Sequence, residues 1–148
     1  MGMRWLVGIF VVFCFGTVAS AAPAPQIHVS VPTVGIDDAE RACHTDAIRR
    51  VMKDAVREAG IDAKAVDVTV AKLAVVIGED KVEISAEIKV VISTTDDQIK
   101  SFGSGTAKFS IARRQFRPAR VAALRHQVLN DALDGLYRRI RATPRRVA

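Results

Sequence analysis

Three histidines and one cysteine are the residues best suited to metal binding or nucleophilic chemistry. His28, His44 and His126 are scattered along the chain. None has a second histidine three or four positions away, the spacing that puts two ligands on one helix face. Cys43 and His44 are adjacent, and adjacent helical residues do not face the same point in space. The sequence therefore predicts no catalytic residue, no metal site and no cofactor, and an enzyme or redox role through Cys43 and His44 is the alternative.

Cys43 has two further interpretations, because it falls near the start of a predicted helix. The positive end of a helix favours a thiolate, so Cys43 is a candidate reactive thiol. An unpaired cysteine in an exported protein could also form an intermolecular disulfide.

Small residues alternate in the segment Gly103, Ser104, Gly105, Thr106 and Ala107. The segment resembles part of a phosphate-binding loop, but no Gly-Lys-Ser/Thr ending follows and no helix is predicted to begin there. Alternate residues of a strand share one face. We therefore expect Gly103, Gly105 and Ala107 to form a stripe on which a helix packs closely.

Charge is unevenly distributed along the 148 residues, whose formal net charge is +6. Residues 22–97 hold nine Lys/Arg and fourteen Asp/Glu, a net −5, whereas residues 98–148 hold twelve and two, a net +10. The excess positive charge of residues 98–148 attracts anions, although a run of charged residues is also typical of a solvated helix face. Arg125 belongs to this run. The predicted anion-binding residues are Arg113, Arg114, Arg117, Arg120, Arg138, Arg139, Arg141, Arg145 and Arg146.

The N-terminal residues 1–21 have the pattern of a secretory signal peptide. A basic start at Arg4 precedes an apolar run, and Ala19 and Ala21 fit the small-residue positions before a cleavage site. We expect a periplasmic or secreted protein, or a membrane-anchored one if the leader is retained. The expected partners are an envelope protein or an anionic lipid or lipopolysaccharide. Nucleic acid is not an expected partner, because the chain is predicted to be exported and few aromatic residues are available to stack on bases.

Hydrophobic periodicity predicts strands at residues 26–34, 66–77, 82–93 and 100–111, and helices at 39–59 and 119–142. The alternation changes phase within the second strand, so a β-bulge is expected near Ala71 and Lys72. The predicted fold class is α+β, a two-layer sandwich in the order β-α-β-β-β-α. A four-stranded, mainly antiparallel sheet carries both helices on one face. Residues 22–142 form one domain and residues 143–148 a frayed basic tail.

The element order over residues 26–34, 39–59, the three-strand meander and 119–142 resembles that of LptE-type lipopolysaccharide-assembly proteins. The resemblance implies a non-enzymatic periplasmic protein that supports a β-barrel partner and touches anionic lipid. The chain departs from that family because it has no lipoprotein cysteine at the predicted mature N-terminus. A structural homo-oligomer is the remaining alternative.

Overall fold

The computed structural model describes residues 24–96 and 98–142, which fold into an α+β sandwich in the predicted order. The four strands lie in the order β1-β2-β3-β4; β1 is parallel to β2, and the other pairs are antiparallel. The predicted leader, residues 1–21, and the predicted tail, residues 143–148, lie outside the described residues. The main elements are β1 (Gln26–Ser30), α1 (Asp38–Ala59), β2 (Ala63–Ile77), β3 (Lys81–Thr94), β4 (Ile99–Ala112) and α2 (Val121–Ala142).

Local capping and turn residues determine where α1 begins and ends and where α2 begins. Asp37 caps α1, since its carboxylate accepts a hydrogen bond of 2.7 Å from the Glu40 N–H. Gly60 ends α1 in the left-handed conformation, with φ of 64°, which glycine adopts without steric cost. The start of α2 lies later than predicted, at Val121, because Pro118–Arg120 forms a separate 3-10 turn.

The first strand is shorter than predicted. It ends at Ser30, although the sequence pattern extends it to residue 34. Pro32 has no N–H to donate to a neighbouring strand, and Gly35 has a positive φ of 75° that turns the chain towards α1.

The predicted β-bulge in β2 is confirmed. Val70 pairs with Ile88, but the next pair is Lys72 with Glu87, so Ala71 is the extra residue. The bulge returns Leu73, Val75 and Ile77 to the face that the helices cover, as shown by their pairing with Ala86, Ile84 and Val82 of β3.

The core lies between this face and the two helices. Aliphatic side chains build it, and Phe116 is the one aromatic residue among its buried hydrophobic members in the described part of the chain. The opposite face of the sheet is polar: the Glu83 carboxylate lies 2.9 Å from the Lys81 ammonium and 3.2 Å from that of Lys108. Hydrogen bonds from these two lysines lower the pKa of Glu83 below its usual value, and the one from Lys81 contributes most. The fully buried core residues include Ile48, Met52, Val66, Val82, Ile84, Ile88, Ile92, Leu129 and Leu136.

The small-residue stripe of β4 lies under α2, as predicted. A Cβ built on Gly105 would lie 2.3 Å from the carbonyl oxygen of Ala132, so only glycine permits this approach. A Cβ on Gly103 would be in ordinary contact with Leu136, at 3.4 Å.

Candidate functional site

The segment between β4 and α2 carries four arginines, Arg113, Arg114, Arg117 and Arg120, which we call the connector arginines. The segment is fixed in place by Phe116, whose side chain is 6% exposed and joins the core. The Arg113 N–H donates a 2.8 Å hydrogen bond to the carbonyl of Asp80 in the β2–β3 turn. Arg117 Nη1 donates to the carbonyls of Arg114 and Phe116, at 3.0 and 3.1 Å. Phe116 and the Arg113 N–H thus attach the connector to the core and to the β2–β3 turn, whereas the Arg117 hydrogen bonds lie within the connector.

A groove of about 640 Å³ lies between the connector, the end of β4 and the first turns of α2. Its polar lining includes Arg114, Arg117 and Arg120, together with two glutamines. Its apolar lining consists of Phe109, Ile111 and Leu124. Among the described residues, none that lines the groove is acidic.

The connector arginines lie at the N-terminal end of α2, where the helix dipole is already positive. Helices usually place acids at this end, yet the first turn of α2 has none. Within the described part of the chain, Arg114 and Arg120 have no carboxylate within salt-bridge distance. Among residues 24–96 and 98–142, the positive charge of Arg114 and Arg120 therefore has no carboxylate counterion, and a bound anion would neutralise it.

The arginines at the other end of α2 have different surroundings. Arg139 Nη1 donates a 2.6 Å hydrogen bond to the carbonyl of Ser104. Arg141 Nε lies 3.3 Å from Glu58 Oε2, and its guanidinium lies 5.6 Å from the centre of the Tyr137 ring. The helix dipole favours cations here. Glu58 also accepts a hydrogen bond from the Tyr137 hydroxyl, which raises the pKa of Tyr137.

The predicted anion-binding residues therefore fall into two groups. At 1.5 Å per residue, Arg120 and Arg138 are separated by about 27 Å along the helix. Arg138 is exposed, and Arg145 and Arg146 lie outside the described residues. The structure does not bring the two groups together into one patch.

Arg125 belongs to the same charge run but is not part of the free basic surface. Its guanidinium binds the Glu40 carboxylate through two hydrogen bonds of 2.7 Å, Nε to Oε1 and Nη2 to Oε2. The Arg125 and Glu40 side chains are only 15% and 10% exposed. The hydrogen bond from Arg125 lowers the pKa of Glu40, partly opposed by burial, and the same contact raises the pKa of Arg125.

His44 extends this ion pair into the interface between the helices. The His44 side chain is only 1% exposed. Its Nε2 lies 3.1 Å from Glu40 Oε1, and its ring stacks on His126 with centroids 5.8 Å apart. An ionised carboxylate only accepts, so Nε2 carries the proton. His44 Nδ1 is buried and has no hydrogen-bond partner within the described residues.

Glu40, Arg125 and His126 were missed as a cluster by the sequence reasoning. One signal was available. Glu40 precedes His44 by four residues and Ile48 by eight, so all three share a helix face. Arg125 and His44 already bind the Glu40 carboxylate, and His44 is closed off from solvent. The cluster therefore joins α1 to α2 rather than offering an exposed base.

Cys43 is exposed, whereas His44 is buried, so the two side chains lie in different surroundings. The reactive thiol and the intermolecular disulfide both stay predictions. No three His, Cys, Asp or Glu residues in 24–96 and 98–142 are grouped so that they could hold a metal ion. Over the same residues, no helix is both long enough and apolar enough to cross a bilayer.

Comparison with known proteins gives similarity at the level of structure alone. No family model and no curated protein matches the chain. A minor lipoprotein from Acinetobacter baumannii is 15% identical with a TM-score of 0.49, over 80% of this chain and 94% of that one. A candidate lipoprotein from Caulobacter crescentus is 9% identical with a TM-score of 0.45, over 80% and 85% of the two chains.

A third similar structure is a lipoprotein from Neisseria meningitidis. It is 14% identical with a TM-score of 0.34, over 74% of this chain and 99% of that one. Identities and TM-scores this low carry no conclusion about function, and the resemblance to LptE-type proteins stays a prediction.

Proposed function

We propose that the chain is a small exported, non-catalytic interaction domain that docks on an anionic lipid surface of the cell envelope through its connector arginines. The observation that carries the proposal is the uncompensated positive charge at the N-terminal end of α2. Arg114 and Arg120 lie there beside a helix end without acids, and no carboxylate of the described residues neutralises them.

The rigidity of the connector supports this function. Because Phe116 is buried and Arg117 is bonded to two backbone carbonyls, the segment is already ordered before a partner arrives. Less conformational entropy is then lost on binding. A lipid surface also offers both the charge that the arginines need and apolar material that the groove lining could contact.

The arginines at the C-terminal end of α2 are assigned a smaller role. Arg139 and Arg141 already have partners within the molecule, and the helix dipole stabilises cations at that end. An external anion has less to gain from them.

The test is binding of the protein, purified after expression of the full chain, to vesicles of phosphatidylcholine with and without phosphatidylglycerol. We expect co-sedimentation with the anionic vesicles only, weakening as salt shortens the screening length from about 10 Å at 0.1 M to about 3 Å at 1 M. The double variant Arg114→Gln, Arg120→Gln should lose most of this binding.

The matched control is Arg50→Gln, Arg138→Gln. It removes the same charge from two exposed arginines away from the connector. If both double variants lose binding equally, net charge rather than the connector is responsible and the proposal is wrong. Binding to neutral vesicles would also contradict it.

An acidic envelope protein is the alternative partner, and the same variants separate it from lipid. In that case the wild-type protein would bind neither kind of vesicle but would retain a protein from envelope extracts. The Arg114→Gln, Arg120→Gln variant would not retain that protein. The homo-oligomer alternative predicts a mass of more than one chain by light scattering of the purified protein.

A further inference from the structure

We propose that the groove beside the connector binds one single-chain anionic amphiphile, a fatty-acid carboxylate, with its head group at Arg114 and Arg120 and its chain on Phe109, Ile111 and Leu124. The proposal rests on the anion-docking function above and deepens it. The ligand here is a single molecule held in a groove, whereas the surface function requires only a charged membrane.

The first observation is the continuous apolar surface under the groove. Phe109 pairs across the sheet with Ile84, and Ile111 pairs with Val82. Val82 and Ile84 are fully buried, whereas Phe109 and Ile111 are only half-buried. The protein therefore covers the inner strand but leaves apolar surface of the edge strand open to the groove, where an acyl chain would remove it from water.

The second observation is the arrangement of polar groups. Arg117 donates to two carbonyls of the connector and so holds the segment, which leaves Arg114 and Arg120 to meet the ligand. A guanidinium matches a carboxylate in shape and donates two parallel hydrogen bonds to it. Gln115 and Gln127 add neutral donors to the lining.

The third observation is size. The groove measures about 640 Å³, within the range of roughly 300–1,000 Å³ typical of small-ligand sites. Five of the eight lining residues are polar and three are apolar. The groove therefore offers polar contacts for a charged head group beside a smaller apolar area for the chain.

The experiment is calorimetric titration of the purified protein with laurate, kept below the concentration at which it forms micelles. Monolaurin serves as the neutral control with the same chain, and butyrate as the anionic control with almost no chain. We expect laurate to bind and both controls to bind far more weakly, because each lacks one half of the recognition.

Variants then locate the ligand. Arg114→Gln and Arg120→Gln should each weaken laurate binding by about tenfold, as expected for loss of one charge-assisted contact. Gln127 is exposed, so Gln127→Trp should fill the groove and block binding without disturbing the core. The single variant Arg50→Gln removes one charge from an exposed position on α1 and should bind laurate as the wild type does.

Several outcomes would overturn the proposal. They are equal binding of monolaurin and laurate, full binding by a folded Gln127→Trp variant, or binding of a single-chain phosphate in preference to the carboxylate. Unfolding curves of each variant show whether it is folded. If laurate does not bind but the Arg114→Gln, Arg120→Gln variant still loses binding to anionic vesicles, the groove proposal fails and the surface function stands. Laurate binding without any vesicle binding gives the reverse result.

Discussion

Substituting alanine for Gly105 tests how closely α2 packs on β4. The added Cβ would lie 2.3 Å from the carbonyl oxygen of Ala132 and 3.0 Å from Leu136 Cβ. Ordinary contact begins at 3.4 Å, so the helix must move away by about 1.1 Å. The obstructing atom belongs to a helix backbone and cannot rotate aside, so other contacts of α2 with the sheet must loosen with it.

Two opposing effects determine the free energy of unfolding of Gly105→Ala. Overpacking a core position costs about 1–3 kcal/mol, and a backbone obstacle favours the upper end of that range. Removing a glycine from a strand stabilises by roughly 0.5–1 kcal/mol. The overpacking cost is larger, so we expect a net loss of about 2 kcal/mol.

Urea unfolding followed by circular dichroism measures this loss. With an m-value near 2 kcal/mol per M, the midpoint should fall by about 1 M while the slope is unchanged. The matched control is Gly103→Ala, whose Cβ meets Leu136 Cδ1 and Val90 Cγ1 at 3.4 Å, an ordinary contact. We expect this control to be neutral or slightly stabilising. If Gly105→Ala is as stable as Gly103→Ala, α2 does not approach β4 this closely and the packing argument is refuted.

Two further predictions concern stability. Because the folded state lowers the pKa of Glu40, its ion pair stabilises the protein above the ordinary glutamate pKa of about 4.3, and that stability is lost as the pH falls through the lower, folded pKa. Glu40→Gln should therefore cost about 2 kcal/mol at neutral pH and flatten the acid side of a stability profile measured by urea unfolding; an unchanged profile would show that the pair contributes nothing. Gly135 is exposed on α2, and a Cβ added there would have no atom within 4 Å. Gly135→Ala should therefore stabilise by about 1 kcal/mol through helix propensity, and a lower thermal midpoint would contradict the helix assignment there.

Local patterns in the sequence were sufficient for most of the fold. The change of phase after Val70 predicts the bulge, because side chains alternate strictly along a strand and one extra residue is needed to keep Leu73 and Val75 facing the helices. The stripe at Gly103 and Gly105 predicts close helix packing for a similar reason. Strand ends were less predictable. The predicted first strand runs to Val34, but Val34 is out of phase with Ile27, Val29 and Val31, and it is 90% exposed beyond the end of β1.

The ion pair between Arg125 and Glu40 could not be predicted from local patterns, because it depends on a contact between residues 85 positions apart. Along the chain, Arg125 is one more cation of a basic run, and nothing local separates it from Arg120. In the structure, the packing of α1 against α2 brings Arg125 to Glu40 and buries His44 beside them. Helix–helix packing, which periodicity does not specify, decides which arginine is neutralised.

The same reasoning explains why net charge alone cannot locate the anion-binding surface. Cations at the two ends of α2 add equally to the total, but the helix dipole stabilises those at the C-terminal end and destabilises those at the N-terminal end, by roughly 0.3–1 kcal/mol each. Arg139 and Arg141 also have partners, whereas Arg114 and Arg120 have no carboxylate partner among the described residues. If the proposed function is correct, an incoming anion gains most at the connector, although the other group is just as basic. Charge-matched variants at the connector and away from it measure that difference directly.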